Sequence, residues 1–207
     1  VIEKSNIRPE AVRALGFDAT CSLVVRDREG RPLSVSTTGR TNLDTLLWMD
    51  HRAVRQAERC NRTGDPLLDR FGGRLSAEMQ LPKLLWLKEE MPDTWQKAGL
   101  IFDLSDYLTW RATGSPLRGH SPMAAKWGFA PEAPGAAPSD FLALVGLEDV
   151  IARAGLPPTT LKATEVVGAL SAAAACELGL TPSCLVAPGL IDAYAGTIAL
   201  FSLPDVV

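Results

Sequence analysis

Between Leu178 and Pro204 the sequence carries a single charged residue, Asp192, and this apolar stretch limits what the chain can fold into. A membrane-spanning helix needs roughly 20 predominantly apolar residues with few helix breakers. Here Pro182, Pro188 and Gly189 interrupt the stretch, and its one acid lies near the middle, where a bilayer is least tolerant of charge. We therefore reject a membrane span and predict a buried strand followed by a helix.

Composition narrows the class of protein further. With 207 residues, of which 46% are hydrophobic and 22% charged, the chain can form a sizeable globular core. A formal net charge of −3 and the lack of a basic patch argue against a nucleic-acid partner. Four cysteines without a CxxC pair and only two histidines predict no metal site. No secretory leader is visible, and we expect reduced cysteines and a cytoplasmic protein.

Strand-like apolar runs alternate with helical segments along the chain, which predicts α/β architecture. Two runs joined by a charged, glycine-containing turn predict a β-hairpin over 14–35, and a short strand is predicted over 45–49. Helices are predicted over 53–61, 76–90, 102–113 and 171–178. Within the second, Lys83–Leu87 has a helical apolar face, which predicts core and no chemistry. The proline-rich residues 130–138 predict a surface loop or a small lid.

Asp192 is the strongest candidate for chemistry. It ends an apolar run and precedes a helix start rich in small residues. A partly desolvated carboxylate in this position can accept a proton from a substrate hydroxyl. Aspartate is also common as a helix N-cap, which is the more frequent role for such spacing. The two interpretations are compatible, because a cap holds the side chain in place.

Two other segments carry polar side chains that could bind a ligand, and the first of them lies at a strand end, which in α/β sheets faces the ligand crevice. After the strand at 45–49, Trp48 could stack on a ligand while Asp50 or Arg52 bonds its hydroxyls; alternatively Trp48 is core and the two charged residues cap the next helix. Lys126 lies among small and apolar residues. It either donates to a substrate oxygen or is an ordinary surface lysine, the more frequent case.

Some motifs are absent from the sequence. There is no GxxxxGK[ST] loop and no GxGxxG turn to hold nucleotide phosphates. His51 and His120 are isolated in sequence and indicate no catalytic triad. The residues alone therefore predict an α/β domain with an acid-centred small-molecule site, and they do not define a reaction.

Six segments in this order resemble the FGGY carbohydrate kinases: Gly16–Val25, Trp48–Ala53, Pro82–Leu87, Phe102–Gly114, Gly146–Asp149 and Gly189–Ala193. The first two look like the ribulokinase-type branch in particular, and the resemblance covers nearly the whole chain. It implies a partial actin-like ATPase (ribonuclease H-like) domain: residues 1–207 as an incomplete N-terminal, sugar-binding half. The first strands of that domain and the C-terminal ATP-binding domain would lie outside the chain.

The resemblance also implies roles for single residues. Asp192 matches the base that takes a proton from the sugar hydroxyl during ATP-dependent phosphorylation of a ketopentose. The sugar would be bound by Trp48, Lys126, Thr20, Cys21, Asp50 and Glu78. ATP and Mg²⁺ would be bound mainly by the parts outside this chain, and a homodimer is compatible with the resemblance. Glu78 and Gln80 depart from the usual family pattern, which favours a ribulokinase-like divergence over glycerol kinase.

Three alternatives remain at this point. The chain could belong to a non-catalytic carbohydrate-binding relative, or to a kinase of another polyol such as xylulose or glycerol. An unrelated α/β enzyme that uses Asp192 as a nucleophile is the third, although no accompanying base is visible in the sequence.

Overall fold

The computed structural model describes residues 2–130, 132–133 and 136–202, and it has the mixed α/β architecture that the alternating pattern predicts. Its strands are β1 (Ala14–Leu15), β2 (Asp18–Ala19), β3 (Leu23–Asp27), β4 (Thr45–Leu46), β5 (Ala98–Asp103), β6 (Gly168–Ala169), β7 (Leu185–Val186) and β8 (Leu190–Ile191). Its helices are α1 (Ile2–Ser5), α2 (Val54–Arg62), α3 (Gln80–Glu90), α4 (Pro92–Lys97), α5 (Leu104–Thr113), α6 (His120–Trp127), α7 (Ser139–Val145), α8 (Val150–Arg153), α9 (Ala172–Leu178) and α10 (Asp192–Phe201). Short 3₁₀ turns cover Pro9–Ala11 and Pro66–Phe71.

An antiparallel sheet in the order β4-β3-β5 forms one part of the framework. All five residues of β3 are buried; the first three are apolar, and the charged Arg26 and Asp27 are paired with Asp44 and Arg31. Of the hairpin predicted over 14–35 only the part from β3 onward is present, because β1 and β2 pair with β7 and β8 instead. Its charged turn closes through a hydrogen bond from the Gly30 N–H to the Asp27 carbonyl (3.1 Å), but the returning segment makes only an isolated bridge at Pro32. Proline cannot donate to a ladder, which limits pairing there.

Parallel pairing brings distant parts of the chain together. β1 pairs with β7, and β2 pairs with β8 in the register Asp18↔Leu190 and Ala19↔Ile191. The carboxyl ends of parallel strands meet at one edge, and ligands of α/β sheets bind outside that edge. Thr20 and Asp192, the residues that follow β2 and β8, are therefore neighbours in the fold.

The predicted helix over 76–90 begins later than expected, at Gln80, because Pro82 has to lie in the first turn, where its missing N–H costs no hydrogen bond. The prediction over 102–113 was wrong at its start. Phe102 and Asp103 end strand β5, where Phe102 pairs with Val24, and the helix begins at Leu104. It ends as predicted, at Gly114, whose positive φ of 78° allows the left-handed C-cap.

The other predicted helices are confirmed to within one residue. α9 is capped by Ser171, which accepts from the Ala174 N–H at 3.1 Å, and Gly179 ends it. The described residues of 130–138 lie outside helices and strands, as predicted, although 131, 134 and 135 fall outside the described ranges. Within those ranges none of the helices has the length and apolar character that crossing a bilayer requires.

Helix α3 lies at the centre of the larger hydrophobic cluster. Every residue from Gln80 to Leu87 is buried, and α3 packs against α2, α4 and α6. Two of these eight residues, Gln80 and Lys83, are polar. Buried lysine and amide side chains need hydrogen-bond partners, so these two residues indicate a region of polar contacts inside the fold.

Candidate functional site

The loop from Leu47 to Arg52 exposes the Trp48 side chain, while hydrogen bonds hold the backbone of Trp48 at both its N–H and its carbonyl. The Trp48 N–H donates to the Ser22 hydroxyl at 3.0 Å, and its carbonyl accepts from the Lys83 ammonium at 2.9 Å. The side chain is not core: Trp48 is 43% exposed. A large aromatic residue with an anchored backbone and an exposed ring is suited to contact a ligand, because little conformational entropy remains to be lost on binding.

Lys83 is the buried cation of this region, with only 1% of its surface exposed. Its Nζ donates to the carbonyls of Leu47 (2.8 Å) and Trp48. Burial lowers the pKa of Lys83 from 10.5 to about 8, although the carboxylates of Asp50 and Asp103 act in the opposite direction. The helical pattern suggested that this segment was plain core, so the role of Lys83 became visible only in three dimensions.

Asp50 and Arg52 form an ion pair in which the guanidinium Nη2 lies 2.6 Å from Oδ2. Arg52 also donates to the Val35 carbonyl at 3.0 Å and stacks 4.2 Å from the centre of the Trp86 ring. Burial opposes ionisation of Asp50, but hydrogen bonds from Arg52 hold its pKa below the usual value. Neither residue caps α2, whose N-cap is Ala53, so the capping alternative was wrong.

Asp103, which ends β5, is a polar hub that the sequence did not reveal. Its carboxylate accepts hydrogen bonds from the Gln80 amide and from the Trp127 indole N–H. The same amide of Gln80 donates to the Cys21 carbonyl at 3.0 Å. Burial raises the pKa of Asp103, and the two donors and Lys126 oppose this rise. One carboxylate therefore ties together the segment after β2, the start of α3 and the end of α6.

Lys126 is half-buried near the end of α6, one residue before Trp127. Its Nζ lies 4.0 Å from the Met79 sulfur, and it forms no ion pair within the described part of the chain. Its positive charge nevertheless acts on Cys21, Lys83 and Asp103. It is therefore a cation facing the polar region and available to an oxygen ligand.

Glu78 is held by a histidine that looked isolated in the sequence. His51 Nε2 lies 2.8 Å from Glu78 Oε1, and both side chains are partly exposed. The charge of Glu78 also acts on Lys83, which places it at the same region. The pairing could not be read from the sequence, because 27 residues separate the two.

The thiol of Cys21 marks the centre of the site. Burial raises its pKa to about 12, and the surrounding charges of Asp103, Lys126, Asp192 and Lys83 also act on it. Thr20 lies beside it and exchanges a 3.2 Å hydrogen bond with Ser22. The fold thus brings together all seven residues selected from the sequence: Thr20, Cys21, Trp48, Asp50, Glu78, Lys126 and Asp192.

Asp192 differs in detail from both sequence interpretations. It is the first residue of α10 and not its N-cap, which is Ile191. Its Oδ1 accepts from the Ala193 N–H at 2.8 Å, and the residue is exposed in this chain, so the expected partial desolvation is not seen. A carboxylate in the first turn of a helix is favoured by the helix dipole. The residue is oriented and accessible, as a proton acceptor has to be.

No group of three or more His, Cys, Asp or Glu within residues 2–130, 132–133 and 136–202 has the arrangement of a metal site. The described side chains offer a polar region with two cations, Lys83 and Lys126, and several carboxylates. These groups can bind hydroxyls and accept a proton.

Comparison with known proteins gives this arrangement a family context. Residues 1–199 match the N-terminal domain of the FGGY family of carbohydrate kinases. The chain is 44% identical to the human FGGY carbohydrate kinase domain-containing protein over 89% of its length, which is 34% of that protein. It is 41% identical to a D-ribulokinase of Saccharomyces cerevisiae over 95% of its length, or 29% of that protein.

The fold also matches solved structures. The crystal structure of a xylulose kinase from Rhodospirillum rubrum superposes with a TM-score of 0.75 and 19% sequence identity, covering 95% of this chain and 37% of that one. This likeness confirms the predicted actin-like fold of the N-terminal part. The chain spans about a third of the length of the curated relatives it matches.

Proposed function

Because the chain belongs to the FGGY family of carbohydrate kinases, we propose that it forms the sugar-binding half of an enzyme that phosphorylates a ketopentose, of ribulose type, with ATP. Two relatives support the substrate class, since one is a D-ribulokinase of Saccharomyces cerevisiae and the other a ribulokinase of Geobacillus thermodenitrificans. Family membership also means that the unrelated α/β enzyme considered from the sequence was a wrong alternative.

The shared edge of β2 and β8 is the observation that carries the proposal. It sets Asp192 beside the Thr20–Cys21 segment, and the charge of Asp192 acts on the Cys21 thiol together with that of Lys126. An accessible carboxylate next to a cation and an exposed aromatic ring suits a polyol whose hydroxyl must lose a proton.

Each side chain has a defined task in this proposal. Asp192 accepts the proton of the sugar hydroxyl that attacks the γ-phosphate, which general-base catalysis requires within hydrogen-bond reach. Trp48 packs against the apolar side of the sugar, and Lys126 donates to its oxygens. Asp50 and Glu78 accept from sugar hydroxyls, while the backbone at Thr20 and Cys21 lines the pocket.

The phosphate donor is assigned to the rest of the enzyme. The described residues provide no glycine-rich phosphate loop and no carboxylate cluster for Mg²⁺. We therefore propose that ATP and Mg²⁺ bind mainly to parts outside this chain, and that the chain alone does not turn over. All four cysteines are unpaired, which supports the proposed cytoplasmic location, a reducing compartment. A homodimer stays a prediction.

The test is a coupled ADP-release assay on the intact gene product with D-ribulose, L-ribulose, xylulose and glycerol. We expect turnover with a ribulose and a loss of about 10²–10⁴-fold in Asp192→Asn, the usual effect of removing a general base. Asp93→Asn is the matched control, since Asp93 is also exposed in the first turn of a helix, α4, yet lies outside the site.

Each outcome has a clear meaning. Full activity of Asp192→Asn would refute the assignment of the base. Turnover with xylulose or glycerol alone would change the substrate class but keep the kinase. If folded wild-type protein releases no ADP with any of the sugars but binds one of them, the non-catalytic carbohydrate-binding alternative is correct.

A further inference from the structure

We propose that Lys83 is a positioning residue, whose buried ammonium fixes the Leu47–Arg52 loop so that Trp48 stands ready for the sugar. The proposal rests on the proposed function for its ligand. It concerns a residue that the sequence pattern assigned to the hydrophobic core, and it explains why a lysine occupies the middle of a buried helix face.

The first argument is the cost of placing a lysine there. Lys83 is 1% exposed, and it lies between Pro82 and Leu84 on a helix whose neighbouring side chains are all buried. A buried ammonium is strongly disfavoured unless its donors are satisfied. A leucine or methionine at this position would fill the same space without that cost, so the charge serves some purpose other than packing.

The second argument is what the ammonium holds. Two of its three donors go to consecutive carbonyls, those of Leu47 (2.8 Å) and Trp48 (2.9 Å). Both belong to a tight turn, in which the Asp50 N–H also donates to the Leu47 carbonyl at 3.0 Å. The N–H of Trp48 is bound to Ser22 on the opposite side. The backbone of Trp48 is therefore fixed by Lys83 of α3 at its carbonyl and by Ser22, the residue before β3, at its N–H.

The third argument is the contrast between backbone and ring. Leu47, Trp48 and Met49 are 55%, 43% and 55% exposed, so no apolar packing of these side chains holds the turn in place. Hydrogen bonds to two buried residues, Lys83 as donor and Ser22 as acceptor, therefore hold it. A loop fixed in this way loses little freedom when the Trp48 ring meets a ligand, which raises affinity without adding a contact.

The experiment uses the intact gene product labelled with 5-fluorotryptophan, with the Trp48 signal in the ¹⁹F NMR spectrum identified from Trp48→Phe. Lys83→Met keeps the length and apolar stem of the side chain but removes the donors. We expect it to shift or broaden the Trp48 signal in the absence of sugar. The KM for ribulose should rise on the order of tenfold at nearly unchanged kcat, as removal of uniform binding requires.

Lys88→Met is the matched control. Lys88 lies on the same helix and also donates to a backbone carbonyl, that of Gly146 at 2.8 Å, and to Asp149, so these partners lie outside the Leu47–Arg52 loop. It should leave both the Trp48 signal and the KM unchanged. Lys83→Gln keeps an N–H donor without the charge, and an intermediate effect is expected. This variant also answers the question if Lys83→Met does not fold.

The outcomes separate the two proposals. An unchanged Trp48 signal in Lys83→Met and Lys83→Gln overturns the positioning role, whatever the enzyme phosphorylates. A fall in kcat at constant KM also overturns it, because a general loss of folded enzyme would then explain the variant. If the Trp48 signal moves but wild-type protein binds no sugar, the proposed function fails and the sugar-related purpose of Lys83 fails with it.

Discussion

Replacement of Gly189 by alanine tests how β8 presents Asp192. A Cβ added at Gly189 would lie 2.7 Å from the carbonyl carbon of Ser105 and 2.8 Å from its Cβ. Carbon atoms in contact stay about 3.5–4.0 Å apart, so the two segments have to separate by roughly 0.8 Å. The atoms met include backbone, which cannot rotate away as a flexible side chain could.

The separation has two consequences. Overpacking of this kind lowers the free energy of unfolding by about 1–3 kcal/mol. Gly189 immediately precedes β8, and Asp192 immediately follows it, so the carboxylate moves with the strand. Misplacing a catalytic group by about 1 Å lowers turnover on the order of 10²-fold. We expect Gly189→Ala to fold and to lose this much activity.

Gly16→Ala is the matched control for this prediction. Gly16 lies on the neighbouring segment between β1 and β2, and its added Cβ would meet only the Ala187 Cβ at 3.7 Å, an ordinary contact. Both variants are compared by ADP release at saturating ribulose and by thermal unfolding of the intact protein. Equal turnover of Gly189→Ala and Gly16→Ala would refute the link between β8 packing and Asp192.

Two further predictions concern the buried polar groups. Burial lowers the pKa of Lys83 to about 8 in the folded protein, below its unfolded value of 10.5. Between these two pH values the unfolded chain binds more protons than the folded one, so the free energy of unfolding increases as the pH rises. Denaturation curves measured across this range should show the increase, and Lys83→Met should remove it. Trp127→Phe leaves one oxygen of Asp103 without its indole donor. We expect the free energy of unfolding to fall by about 1–3 kcal/mol and ribulose binding through Lys126 to weaken. If denaturant titration shows unchanged stability and binding titration shows unchanged affinity, Asp103 does not organise the site.

Sequence patterns were sufficient where local rules decide the structure. Gly114 and Gly179 end their helices as predicted, because only a residue without Cβ takes the left-handed C-cap at no steric cost. The segments selected as functional, around Cys21, Trp48 and Asp192, also come together in space. Trp48 and Asp192 were selected because each lies at the end of an apolar run, whereas Cys21 was selected only through the resemblance to the FGGY kinases.

Sequence patterns failed where long-range contacts decide. Phe102 and Asp103 fit a helical pattern, yet pairing with β3 makes them strand, and the error hid the buried carboxylate of Asp103. Lys83 was taken for core because its partners, the carbonyls of the Leu47–Trp48 turn, are backbone groups some 35 residues away. The sequence of α3 therefore gives no indication of either partner.

The parallel pairing of β2 with β8 has a consequence for how the protein is made. Ala19 and Ile191 pair directly, although about 170 residues separate them. This contact can therefore form only after nearly all of the intervening chain has been synthesised. At a synthesis rate of about 5–20 residues per second, β2 waits roughly 10–30 s on the ribosome before β8 is available. During that interval the edge of β2 is unpaired, and a chaperone that shields it would be most useful before residue 191 emerges.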